Sequence, residues 1–208
     1  MNVVRHVVGP LAENAYILAA EDSAECAVID PGADAPRILN GIRGAGLDVR
    51  YILVTHGHAD HTGAVAPVKA ATNALFGAHG GDAEQIRHPL PWITAMIPDF
   101  AQPPPLDWVL GDGDQLELGS ELVEVIATPG HTPGSVCYRI ADAVFTGDTL
   151  FKGSIGRYDL PGSDGQLEIA SIRNRLLVLP DKTRVLPGHG SYSTIGEERA
   201  FNRFLSEN

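Results

Sequence analysis

Apolar positions fall into short runs that alternate with stretches of helical spacing. Near the N-terminus, residues 2–9, 14–20 and 25–30 read as strands split by turn residues. Asp34 stands where a helix N-cap is expected. Residues 35–45 then carry apolar side chains at helical intervals, with Gly44 and Gly46 near the stop. Residues 49–55 (VRYILVT) form a near-continuous apolar run, the pattern of a strand covered on both faces. A polar loop, HGHADH, follows at its end. A helix over 63–71 and a strand over 74–78 come next.

The middle is broken by Pro89, Pro91, Pro98, Pro103, Pro104 and Pro105, leaving room for one short helix over 92–97. Residues 89–105 are therefore a candidate lid or rim beside a functional site. The second half resumes the strand pattern at 116–118, 121–127, 135–140 and 143–145. A helix over 165–179 presents Leu167, Ile169, Ile172, Leu176 and Leu177. A strand over 184–186 and a helix over 196–205 close the chain. Strands and helices alternating throughout predict a layered α/β architecture in a single domain, residues 1–208.

Composition narrows the function. The chain has 208 residues, 44% hydrophobic and 20% charged, an ordinary globular balance. No stretch approaches the ~20 apolar residues that span a bilayer. No secretory signal pattern opens the chain, so a cytoplasmic protein is expected. The net charge of −11 argues against nucleic acid or an anionic membrane as partner and leaves a small-molecule substrate. Cys26 and Cys137 lie in strand-like apolar runs and read as reduced core residues.

The strongest chemical signal is THGHADH, which puts His56, His58, Asp60 and His61 into six residues past a buried strand. Two histidines two apart in an extended loop face the same way. Asp60 and His61 follow as the chain turns into a helix, so one loop presents two groups of ligands. Imidazole nitrogen and carboxylate oxygen suit zinc, and also iron or manganese. His131 (TPGHTPG), Asp148 (TGDTL) and His189 (LPGHG) each follow a strand-like run and are flanked by glycine. Asp30 and Thr55, at strand ends, are placed to hydrogen-bond ligand imidazoles. His6, His79 and His88 lack such a setting.

The order THGHADH, GH, GD, GH resembles the signature of the metallo-β-lactamase superfamily over essentially the whole chain, as do GPLAENAY and AVIDPG. Within it, LFKGSIGRYDLPGSDG and LPGHGSYSTIGEERAFNRFL look like the glyoxalase II (hydroxyacylglutathione hydrolase) branch and its short bacterial relatives. The resemblance implies an α/β (α+β) fold, a four-layer αββα sandwich with a two-metal site at one edge. It implies that His56, His58 and His131 bind one metal and Asp60, His61 and His189 a second, with Asp148 bridging. The implied cofactors are two divalent ions, zinc first. The implied reaction is hydrolysis of a thioester such as S-lactoylglutathione by hydroxide held between the metals, with Asp60 also orienting it. In the β-lactamases proper a cysteine takes a metal position, where this chain has Asp148.

Arg157, Tyr158 and Tyr192 are the expected substrate contacts. Two departures bear on glutathione. The chain ends before the C-terminal helical region of glyoxalase II, and Ser191 and Asp159 stand where that family has tyrosines. The alternatives are a mononuclear iron persulfide dioxygenase and a lactonase or esterase of the same superfamily. A nuclease and a metal-stabilised binding domain are remoter rivals.

Overall fold

In the computed structural model, which describes residues 1–205, the first half of the chain builds one mixed sheet. Its strands, in spatial order, are β1 (Asn2–Val8), β2 (Glu13–Ala19), β3 (Glu25–Ile29), β4 (Asp48–Leu53), β5 (Leu75–His79) and β6 (Trp108–Leu110). The first three are antiparallel neighbours, and β3 to β6 are parallel. Parallel pairing demands crossovers. These hold α1 (Ala35–Gly44), α2 (Ala59–Thr62), α3 (Val65–Thr72), α4 (Ala83–Arg87) and α5 (Pro91–Thr94).

The second half repeats the plan with β7 (Gln115–Leu118), β8 (Glu121–Ala127), β9 (Val136–Ile140) and β10 (Ala143–Gly147). A small hairpin of β11 (Leu150–Phe151) and β12 (Ser154–Ile155) follows. Then come α6 (Gly165–Ser171), β13 (Arg184–Pro187), β14 (Ser193–Thr194) and α7 (Ile195–Phe201). The sheet order is β14-β13-β10-β9-β8-β7, and only β10 and β13 pair in parallel.

Strand alternation sorts the side chains into three cores. Tyr16 and Leu18 of β2 face Val123, Tyr138 and Phe145 of the other sheet. Ile17 of the same strand faces Ile38 and Ile42 of α1. On the far side, Cys137 and Val144 meet Ile172, Leu176 and Ile195. The layers are therefore αββα, as expected, and both cysteines are buried and free. Among the described residues, no helix is long and apolar enough to cross a membrane.

Several local expectations are corrected. Asp34 occupies the N-cap of α1, as expected, but its side chain makes no capping bond: its φ is +53° and its Oδ2 accepts from Gly9 N at 3.0 Å, which ties down the β1–β2 turn. The regular helix expected over 165–179 ends at Ser171 and continues as a π-helical turn, Ile172–Leu176. Leu167 is exposed and Glu168 is buried in its place. A β-carbon on Gly130 would lie 2.3 Å from Glu168 Cβ, so close contact with that glycine sets the rotation of α6. The closing helix stops at Phe201, because Asn202 turns aside to donate to Ser154 O and Glu198. The proline-rich segment holds its short helix at Pro91–Thr94, and α4 precedes it.

Candidate metal centre

Loops at one edge of the sandwich carry every chemical motif of the sequence. His56 and His58 follow β4, His131 lies between β8 and β9, Asp148 follows β10, and His189 follows β13. Bonds between the two sheets brace this edge from beneath. Tyr16 and Tyr138 donate to Pro187 O and Val54 O, each at 2.7 Å, and Asn14 N donates to Gly188 O at 2.7 Å. Two glycines let the loops meet. A β-carbon on Gly188 would lie 2.5 Å from both Asp148 Oδ1 and His61 Cε1. Gly147, at φ +48°, would clash with Thr55.

The first group is His56, His58 and His131. His58 Nδ1 lies 3.0 Å from His56 Nε2 and 3.0 Å from His131 Nε2. In His56 and His131 the other ring nitrogen fixes the tautomer. His131 Nδ1 donates to Arg157 O at 2.8 Å. Thr55 Oγ1 donates to Asp30 Oδ2 at 2.7 Å, so it accepts from His56 Nδ1 at 3.1 Å. The Nε2 atoms of His56 and His131 are thus bare lone pairs aimed at one point. Burial, reinforced by the neighbouring imidazoles, holds His56 well below the usual histidine range and His58 down at about 4. Two nitrogens about 2.0–2.1 Å from one tetrahedral ion lie roughly 3.3 Å apart, so the donor set fits a cation.

The second group is Asp60, His61 and His189. His189 Nε2 is 3.4 Å from Asp60 Oδ2, and His61 Nε2 is 3.2 Å from Asp148 Oδ1. Asp148 lies between the groups, with Oδ2 3.9 Å from His131 Nε2. His61 Nε2 and Asp148 Oδ1 are buried without a hydrogen-bond partner among the described residues, as a cation site requires. Burial disfavours charge on His61, yet the carboxylates of Asp148, Asp30 and Asp60 outweigh it and hold His61 well above its usual range. Burial likewise opposes ionisation of Asp60, and His61 and His189 overcome it, so that carboxyl stays below its usual range.

Asp30 braces both groups, as its sequence position predicted. Its Oδ2 accepts from His61 Nδ1 at 3.0 Å and from Thr55 Oγ1, and its Oδ1 accepts from Thr55 N at 2.6 Å. Its backbone sits at φ +49°, a strained conformation held by these bonds.

Sequence reading missed three buried acids here. Glu13, behind His61, has Oε1 3.9 Å from Nδ1, and burial pushes its carboxyl well above the usual range. Glu168 lies under the His131 loop. Asp82 ties the two loops of the first group together. Its Oδ2 accepts from Gly57 N and Thr132 Oγ1, and its Oδ1 from Gly134 N, all at 2.7 Å. No periodicity marks Asp82 in GGDAEQ; its partners come from distant loops. Asp82→Ala removes three bonds to a charged acceptor, each worth about 1.5–3 kcal/mol. Thermal unfolding should move down by at least about 10 °C; a shift under about 3 °C would show that the loops hold without it.

A cleft of about 290 Å³ opens over the cluster, with Asp60, Asp148 and His189 on its floor and Leu11, Trp92, Ile93, Met96, Arg157 and Leu160 as walls. Three of these walls come from the proline-rich segment. Of the expected substrate contacts, only Arg157 lines the cleft. Tyr158 packs against Gly165, and Tyr192 lies beside Tyr16 with the Arg5 guanidinium over its ring. His6, His79 and His88 stay outside the cluster.

The cluster is a metal-binding site with places for two ions. Comparison with known proteins agrees. The hydroxyacylglutathione hydrolase GloC of Haemophilus influenzae is 38% identical over 197 residues, covering 89% of this chain and 90% of its own. The crystal structure of the B3 metallo-β-lactamase BLEG-1 superposes with TM-score 0.92 at 36% identity, covering 99% of this chain and 100% of that one. The protein TTHA1623, solved in a di-iron-bound form, gives TM-score 0.88 at 38% identity over 97% of this chain and 100% of its own. Residues 8–189 match the family described as the metallo-beta-lactamase superfamily. With that match on a complete αββα frame, the chain belongs to the metallo-β-lactamase superfamily and is a metallo-hydrolase of that group.

Proposed function

We propose that the protein hydrolyses a thioester at a two-metal centre, S-lactoylglutathione being the glyoxalase-type example of the class. One observation carries the reading: the lone-pair nitrogens of His56 and His131 and the unpartnered His61 Nε2 and Asp148 Oδ1 gather in one cluster beneath a substrate-sized cleft. His56, His58 and His131 would hold one ion; Asp60, His61 and His189 would hold the other; Asp148 would reach both. The nitrogen-rich donor set fits zinc, and accepts iron or manganese. When bound, such ions lower the pKa of water toward about 7 and polarise a carbonyl oxygen.

The remaining work falls to side chains. Asp60, ionised and on the cleft floor, takes a proton from the attacking water and returns it to the leaving sulfur. The water oxygen bonds to the carbonyl carbon, the carbon–sulfur bond breaks, and its electron pair leaves with the thiol. Asp30 holds His61 and, through Thr55, His56 in the tautomers that aim Nε2 at the centre. The persulfide dioxygenase alternative uses only the first group. The convergence of Asp60, His61 and His189 favours the hydrolase instead.

Elemental analysis of the purified protein, paired with a panel of S-lactoylglutathione, an S-acyl-N-acetylcysteamine, a short-chain lactone, a β-lactam and a persulfide, tests this. The expected result is two metal ions per chain and thioester turnover well above the other arms. One iron per chain with oxygen uptake, or turnover confined to the β-lactam, overturns it.

A further inference from the structure

Apart from the histidines and carboxylates of the floor and Arg157, the cleft walls are apolar. Leu11 comes from the β1–β2 turn, Trp92, Ile93 and Met96 from the proline-rich segment, and Leu160 from the stretch between β12 and α6. Trp92 and Met96 are 49% and 44% exposed. Large apolar surface beside a reactive floor favours a ligand that covers it with apolar atoms of its own.

Arg157 is the one lysine or arginine among the described residues lining the cleft. Its guanidinium is already engaged. Nε donates to Asp159 Oδ1 at 2.8 Å and Nη2 to Asp159 Oδ2 at 2.9 Å, a fork-to-fork match. That is the geometry in which arginine would grip a substrate carboxylate. An anionic ligand must therefore displace Asp159 or bind without the guanidinium, and the chain's net charge of −11 gives such a ligand no long-range steering. The pair is largely exposed, with side chains 55% and 68% accessible, so it biases several-fold rather than absolutely.

We propose that Asp159 is a specificity-determining residue: by occupying Arg157, it turns the cleft toward uncharged thioesters with an apolar group and away from thioesters of glutathione, whose free carboxylates need a cation. This rests on the thioester-hydrolase reading above.

The test compares two esters with one acyl group, S-hexanoyl-N-acetylcysteamine and S-hexanoylglutathione, on the metal-loaded full chain. The readout is the ratio of their kcat/KM values. The matching thioethers, S-hexyl-N-acetylcysteamine and S-hexylglutathione, give a Kd ratio by calorimetry without turnover. The native protein should favour the uncharged member at least fivefold in both ratios. Asp159→Asn, which frees the guanidinium, should shift both at least fivefold toward glutathione. Arg157→Gln, which removes the guanidinium and leaves the Asp159 carboxylate without it, should shift them the other way. Native preference for the glutathione member, or a shift below twofold in Asp159→Asn, overturns the inference. If neither ester is hydrolysed, the thioesterase reading fails, and the Kd ratio alone decides the role of Asp159.

Discussion

Replacing Asp148 with alanine should cost the protein most of its turnover and at least one of its two metal ions together. Among the described residues, Asp148 is the one carboxylate between the two groups, with Oδ1 3.2 Å from His61 Nε2 and Oδ2 3.9 Å from His131 Nε2. No neighbouring acid takes its place, since Asp60 faces His189. On the proposed assignment, removing it would take one donor from each ion's set. A loss of about 4 kcal/mol of electrostatic stabilisation corresponds to roughly a thousandfold in rate. The metal content, read by elemental analysis after dialysis, should fall to one ion per chain or fewer. An Asp148→Ala protein that still holds two ions tightly would refute the ligand assignment. Asp148→Asn keeps the shape and separates loss of charge from loss of packing.

The second large effect concerns Glu168. The side chain is fully buried, and neither carboxylate oxygen has a hydrogen-bond partner among the described residues. Burial pushes its carboxyl from 4.5 up to about 8. The sign follows from proton counting. Between about pH 4.5 and about 8 the folded chain keeps a proton that the unfolded chain has released. Stability therefore falls as pH rises through that window, by about 1.4 kcal/mol per unit. Glu168→Gln cannot titrate. Measured by urea unfolding of the metal-free protein, the stability of this variant minus that of the native chain should climb steadily from pH 5 to 8. The difference should level off above and below that range. A flat difference would mean that Glu168 is ionised and paired in the fold.

Glu168 also shows where sequence reading stops. The apolar spacing of Leu167, Ile169, Ile172, Leu176 and Leu177 predicted one regular helix with Leu167 inward. The close approach of Gly130 fixes the face of α6, and the π-helical turn then shifts the phase, which carries Ile172 and Leu176 into the core. The two-residue strands β11, β12 and β14 were equally invisible, because no periodicity exists in two residues. The substrate contacts divided in the same way. Arg157 reaches the cleft, but spacing along the chain does not reveal that Asp159, two residues along, occupies its guanidinium. Tyr192 was drawn off by Tyr16 and Arg5.

What the sequence determined alone was everything written in local pattern. Runs such as VRYILVT demanded strands buried on both faces, which requires helices outside two stacked sheets. Histidines and acids placed just past strand ends announced metal chemistry before any contact was known. Tertiary structure alone decided how those donors are aimed. The tautomers of His56 and His131 depend on Thr55 and on Arg157 O, the strut between their loops is Asp82, and the proline-rich segment supplies three walls of the cleft beside Leu11, Arg157 and Leu160 from distant loops. Hydrophobic periodicity acts between near neighbours and survives in one dimension. Hydrogen bonds and close approaches between loops many residues apart exist only after the sheets have packed.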